Sequence, residues 1–135
     1  MPKAKFPHFT PEEAKVLEEF QRAGILRGKW SYDVRLESLR AEKVYIEDPT
    51  MRAMWKALTA KRIDAVCETD TDINIIEVKR AMLASGVGQL FLYAYMYNRQ
   101  FKPQKPVKLW YVCYYHDPDI VEFCRLHGIR TWWMV

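Results

Sequence analysis

Residues 62–93 read RIDAVCETDTDINIIEVKRAMLASGVGQLFLY. Two apolar runs rich in Ile and Val, 62–68 and 73–79, flank Thr69-Asp70-Thr71-Asp72. Such runs around a turn-forming tetrad predict a β-hairpin. With Asp70 and Thr71 as a two-residue turn, paired positions sum to 141, which sets Asp64 opposite Glu77 and Arg62 opposite Lys79. Side chains alternate along a strand. Asp64, Val66 and Glu68 then share a face with Ile75, Glu77 and Lys79, while Ile63, Ala65, Cys67, Ile76 and Val78 form the core side. Opposed Cβ atoms stand about 5 Å apart, close enough for two carboxylates to share one divalent cation. Without a cation the pair repels itself and one of the two pKa values rises.

The next stretch predicts a helix, capped by Ser85 and running to about Asn98. Leu90, Phe91, Ala94, Tyr95 and Tyr97 leave it few polar positions, so burial on most sides is expected. Gln89 and Tyr93 fall one turn apart on one face. A glutamine on so apolar a helix needs partners. It either orients a group near Lys79 or is a surface residue beside a core tyrosine. Gly86 and Gly88 leave room for a phosphate backbone at the helix start.

Further out, residues 1–9 read as an extended arm, and Thr10-Pro11-Glu12-Glu13 as a helix start with Glu13 completing a capping box. Val16, Leu17, Phe20 and Ala23 make that helix's apolar stripe, and Gly24 stops it. Residues 30–36 predict a strand. Residues 37–48 are ambiguous, with a strand-like Val44-Tyr45-Ile46. A helix follows Asp48-Pro49-Thr50, and its Met51, Trp55 and Leu58 are expected in the core. Residues 107–115 predict an interior strand, 117–126 a short helix ended by Gly128, and 129–135 a last strand. The expected fold is a single α/β domain over 1–135. Its central mixed sheet of four to five strands is flanked by helices, in the order αβββαβ plus a C-terminal αβ.

The chain has 135 residues, half of them apolar, which suffices for one domain with its own core. A formal charge of +4 permits an acidic partner such as nucleic acid without requiring one. Cys67, Cys113 and Cys124 have no metal-type spacing and suit a reduced, intracellular protein. The first residues contain no apolar signal-peptide core, and no run of eighteen apolar residues predicts a membrane span. HExxH, Gly-rich phosphate-loop and GxSxG patterns are absent.

Asp64 followed by Glu77-Val78-Lys79 resembles the PD-(D/E)XK nuclease superfamily, and Gln89-x-x-x-Tyr93 is similar to the extra motif of its RecB-like branch. Ile63 stands where that family often has Pro. The resemblance implies a restriction-endonuclease-like fold and a DNA nuclease using Mg²⁺ or Mn²⁺. Asp64, Glu77 and the Val78 carbonyl would hold the metal, Lys79 would poise water, and Gln89 and Tyr93 would support them. It also implies an acid from the first helix, for which Glu13 is the candidate beside its capping role. Arg62, Arg80 and Lys61 are either phosphate clamps or ordinary surface charge. The branch suggests exonuclease or end-processing work. Sequence-specific cutting at this length would need a homodimer or a partner. The alternatives are a catalytically silent nuclease-like domain for DNA binding or assembly, and a merely solvated charged hairpin.

Overall fold

A computed structural model describes residues 8–135, apart from the side chains at 41, 42 and 57. Most of the arm expected over 1–9 lies outside the described residues. The elements run α1 (Pro11–Arg22), β1 (Lys29–Leu36), α2 (Leu39–Glu42), α3 (Pro49–Thr59), β2 (Lys61–Glu68), β3 (Ile73–Ala81), α4 (Ala84–Phe101), β4 (Val107–Tyr115), α5 (Pro118–Leu126) and β5 (Ile129–Trp133). The strands form one sheet in sequence order, antiparallel from β1 to β3 and parallel from β3 to β5. The expected mixed sheet flanked by helices is therefore present. Among the described residues no helix is long and apolar enough to cross a membrane.

Local chemistry explains the main elements. Thr10 Oγ1 accepts from Glu13 N and Glu13 Oε1 accepts from Thr10 N, at 3.2 and 2.9 Å, so the capping box forms. The two parallel crossovers, through α4 and α5, step across the sheet in the same direction. Crossovers of one hand then place both helices on one face. There α4 and α5 cover Val66, Ile75, Leu109 and Tyr111. On the other face α1 sets Phe20 against Trp30, Trp110 and Trp132, with Ala65, Ile76 and Val78 beneath. Among the described residues the polar side chain buried on this face is Asn74. It accepts from Trp110 Nε1 and donates to the Cys67 carbonyl, which satisfies it.

The hairpin has the expected register. Val66 pairs with Ile75 and Ala65 with Ile76, but the β2–β3 ladder ends there. Neither Asp64 with Glu77 nor Arg62 with Lys79 is therefore a ladder pair, contrary to the expectation. Ile63 is buried but joins the cluster of Val66 and Ile75 rather than that of Ala65 and Cys67. The cause lies one strand over. Asp33 has a left-handed backbone (φ 50°) between the paired Tyr32–Ala65 and Val34–Ile63. A residue in that conformation re-aims the strand, and from Val34 and Ile63 outward the two sheet faces are exchanged.

Other expectations shift as well. Val44, Tyr45 and Ile46 form no strand; a short helix, α2, precedes them. Met51 and Leu58 on α3 are exposed rather than core, because α3 packs chiefly against α2. Helix α4 begins at Ala84 with Leu83 at its cap position and no side-chain cap from Ser85. It also leaves Phe91, Leu92 and Tyr95 exposed. The room expected at Gly86 is filled: it is packed against Tyr111, whose hydroxyl accepts from Leu83 N at 3.0 Å and donates to Leu83 O. A Cβ at Gly86 would sit 2.2 Å from that hydroxyl oxygen. Gly86→Ala should therefore cost about 2–3 kcal/mol by overpacking, read as a clear drop in melting temperature. Gly88→Ala, with nothing within 4 Å of its new Cβ, should melt at or slightly above wild type.

Candidate active site

The site forms where β2 leaves β3. Beyond the Ala65–Ile76 pair, β3 has lost its neighbour, and Val78 N would be left without an acceptor. Asp64 Oδ2 supplies one at 2.8 Å. The departing strand thus leaves its first carboxylate behind in the gap. In an extended strand the N–H and C=O of one residue point the same way, so the Val78 carbonyl is aimed at this gap too.

Glu77 lies on the α4 side of β3 and is only 3% exposed. Lys79 Nζ stands 3.6 Å from Glu77 Oε1 and is its ion-pair partner. One half-exposed cation does not balance two ionised carboxylates, one buried and one half-buried. Burial, then the charge of Asp64, pushes the Glu77 carboxyl up to about 9. At neutral pH without a cation, Glu77 keeps its proton and donates it to Asp64. Burial also raises Asp64. The Val78 N–H, Glu77 and Lys79 oppose that rise, and the charge of Glu13 adds to it.

Helix α4 closes the site. Tyr93 is buried, and burial lifts its hydroxyl above the usual phenol range, helped by the charges of Glu77 and Asp64. The Gln89 side chain hydrogen-bonds it and works the other way. The Oε1 of Gln89 is itself buried with no hydrogen-bond partner. An unmet buried acceptor costs about 1–3 kcal/mol, so this atom is poised for a donor such as water.

Asp64, Glu77, Lys79, Gln89 and Tyr93 therefore come together. Glu13 is within electrostatic reach of Asp64 while also holding Thr10 N. Arg80 is bound to Glu12 at 2.6 Å, and its guanidinium lies 5.2 Å from the Tyr115 ring centre. Glu12 is a partner that sequence reasoning missed, since nothing local joins α1 to the end of β3. Lys61 and Arg62 open β2 ahead of Asp64. All three cysteines are free and buried, and burial raises each thiol, which leaves no nucleophilic thiolate. Among the described residues no three His, Cys, Asp or Glu side chains gather as a metal-holding group. No family model, curated protein or solved structure matches the chain.

Proposed function

We propose that the protein is a metal-dependent DNA nuclease of PD-(D/E)XK type, in the RecB-like branch, that hydrolyses phosphodiester bonds from or near DNA ends. The observation that carries this reading is the Asp64–Glu77 pair, Glu77 buried and Asp64 half-buried, with a single cation beside it. Ionised together, two such carboxylates destabilise a fold unless a hard cation joins them; otherwise one must keep its proton. Mg²⁺ uses one or two carboxylates and keeps waters for the remaining positions, so Asp64, Glu77 and the Val78 carbonyl fit it, and Mn²⁺ likewise. When bound, the ion would supply an activated water and neutralise phosphate charge.

The chain's own groups do the rest. Lys79, half-exposed beside Glu77, can hold a phosphate oxygen or orient water. Tyr93 and Gln89 fix the α4 wall, with the free Gln89 oxygen as a water acceptor. Lys61 and Arg62 can grip phosphate next to the carboxylates, whereas Arg80 must first give up Glu12. Three buried free thiols suit a reducing, intracellular setting.

The test is incubation of linear, circular and single-stranded DNA with the protein in Mg²⁺, Mn²⁺ or EDTA. The expected result is degradation that needs the cation and spares the circle. Cutting of the circle would reassign the protein as an endonuclease. No cutting with either cation would leave the alternative, a silent nuclease-like domain for DNA binding or assembly.

A further inference from the structure

In the connection between β1 and β2, helix α3 packs chiefly on α2 rather than on the sheet. Met51, Met54 and Leu58 on α3 are 58%, 59% and 79% exposed and recur on one side of the helix. Three large apolar side chains held in water on one helix mark a surface that meets something.

Charge along the connection is segregated: its four acids, Glu37, Glu42, Glu47 and Asp48, all precede α3, with Asp48 capping the helix. Helix α3 contains no acidic residue, and on the side next to the apolar stripe it carries exposed Arg52 and Lys56. Where the connection rejoins the sheet, Arg35 pairs directly with Arg62 across the β1–β2 ladder, both exposed. Opposed like charges repel. Among the described residues none of Arg35, Arg52, Lys56 and Arg62 has a carboxylate within ion-pair distance. Lys56 on α3 and Arg35 on β1 line one cleft, together with Glu37, and the excess of cations without ion-pair partners there suits a polyanion. A second copy fits poorly, since a symmetric contact through this surface would bring the same cations face to face. Cations flanking exposed Met and Leu suit nucleic acid: the cations take phosphates, and the apolar side chains press against or between base steps. Arg62 is two residues from Asp64 on β2, so the surface leads into the candidate active site.

We propose that α3 is a nucleic-acid wedge. Arg35, Arg52, Lys56 and Arg62 hold the phosphates of a duplex end while Met54 and Leu58 unstack its terminal pair. Delivery of the freed strand to Asp64 and Glu77 rests on the nuclease reading; binding and unstacking do not.

The experiment uses a short blunt duplex with 2-aminopurine in its terminal pair, in EDTA so that nothing is cut. Anisotropy reads binding, and 2-aminopurine emission reads unstacking. Wild type should bind and raise the emission. Arg52→Glu/Lys56→Glu should weaken binding about 10-fold or more and lower the salt slope by about two. Met54→Ser/Leu58→Ser should keep most of the affinity and lose the emission rise. All four positions are exposed, so melting temperatures should stay near wild type. The proposal is overturned if wild type does not bind or unstack the duplex, or if both double variants behave as wild type. It also falls if wild type sediments as a dimer that Met54→Ser/Leu58→Ser dissociates, since the apolar face would then belong to a second copy. Unstacking by a protein that cuts nothing would keep the wedge and remove the nuclease reading. Cutting unaffected by α3 variants that no longer unstack the duplex would keep the nuclease reading and overturn delivery of the strand by α3.

Discussion

In metal-free buffer the wild-type protein should melt at progressively lower temperature as pH rises from about 5 to 9, and Glu77→Gln should flatten that slope. Glu77 sits near 4.5 when exposed and near 9 in the fold. The folded state therefore binds the proton more tightly than the unfolded state between those values. Stability is greatest below the lower pKa and is lost as pH climbs toward the upper one. The limiting slope is about 1.4 kcal/mol per pH unit for one such group, or roughly 4 °C per unit for a domain of this size. Asp64, also raised by burial, acts in the same direction at the acid end of the range. Glu77→Gln carries no charge to bury and can still donate to Asp64, so at pH 8 it should melt above wild type.

Mn²⁺ should reverse the trend. A cation binds the deprotonated carboxylates, so its stabilisation grows with pH. At a hundredfold excess over its Kd it adds about 2.7 kcal/mol. Wild type should gain that shift at pH 8, and Glu77→Gln and Asp64→Ala should lose it. A wild-type melting temperature that is flat with pH and indifferent to Mn²⁺ would show that the two carboxylates are solvated and hold nothing.

Some of this was readable in the chain. The hairpin register follows from a two-residue turn between Ile- and Val-rich runs, because loop length and turn type set which residues pair. That register is what brings Asp64 near Glu77. The exchange of faces beyond Asp64 was not readable. KWSYDVRL alternates in the ordinary way, and only the left-handed Asp33 in the folded sheet re-aims it. Helix α3 shows a different limit. Met51, Trp55 and Leu58 have the spacing of an apolar stripe, but periodicity says which side is apolar, not whether anything covers it. Gly86 is plain in the sequence, while its reason, the Tyr111 hydroxyl, arrives from a strand formed later in the chain. At the site itself, Glu13 was legible as a cap. Its reach to Asp64 depends on how α1 crosses the sheet.

Glu77→Ala and Lys79→Ala should each reduce DNA cleavage by about 10³-fold while remaining folded, since removal of one aligned charge-stabilising group costs about 10²–10³ in kcat. The two should fail differently. Glu77→Ala removes half of the carboxylate pair and with it the Mn²⁺ shift in melting temperature. Lys79→Ala leaves Asp64 and Glu77 in place, so it should keep that shift and lose kcat alone. Without the cation 3.6 Å away, Glu77 should hold its proton to still higher pH. The Lys79→Ala protein should therefore need more alkaline buffer or more Mn²⁺ to show the same stabilisation. Lys79→Arg keeps the charge but spreads it over a planar fork, and should recover part of the metal response before any of the activity. Substrate affinity should be almost unchanged in both variants, because the phosphate-binding cations at Arg62 and on α3 are untouched. Robust cutting by Glu77→Ala or Lys79→Ala would sink the assignment of the site. Loss of affinity without loss of kcat in Lys79→Ala would move that lysine from the reacting phosphate to the binding track.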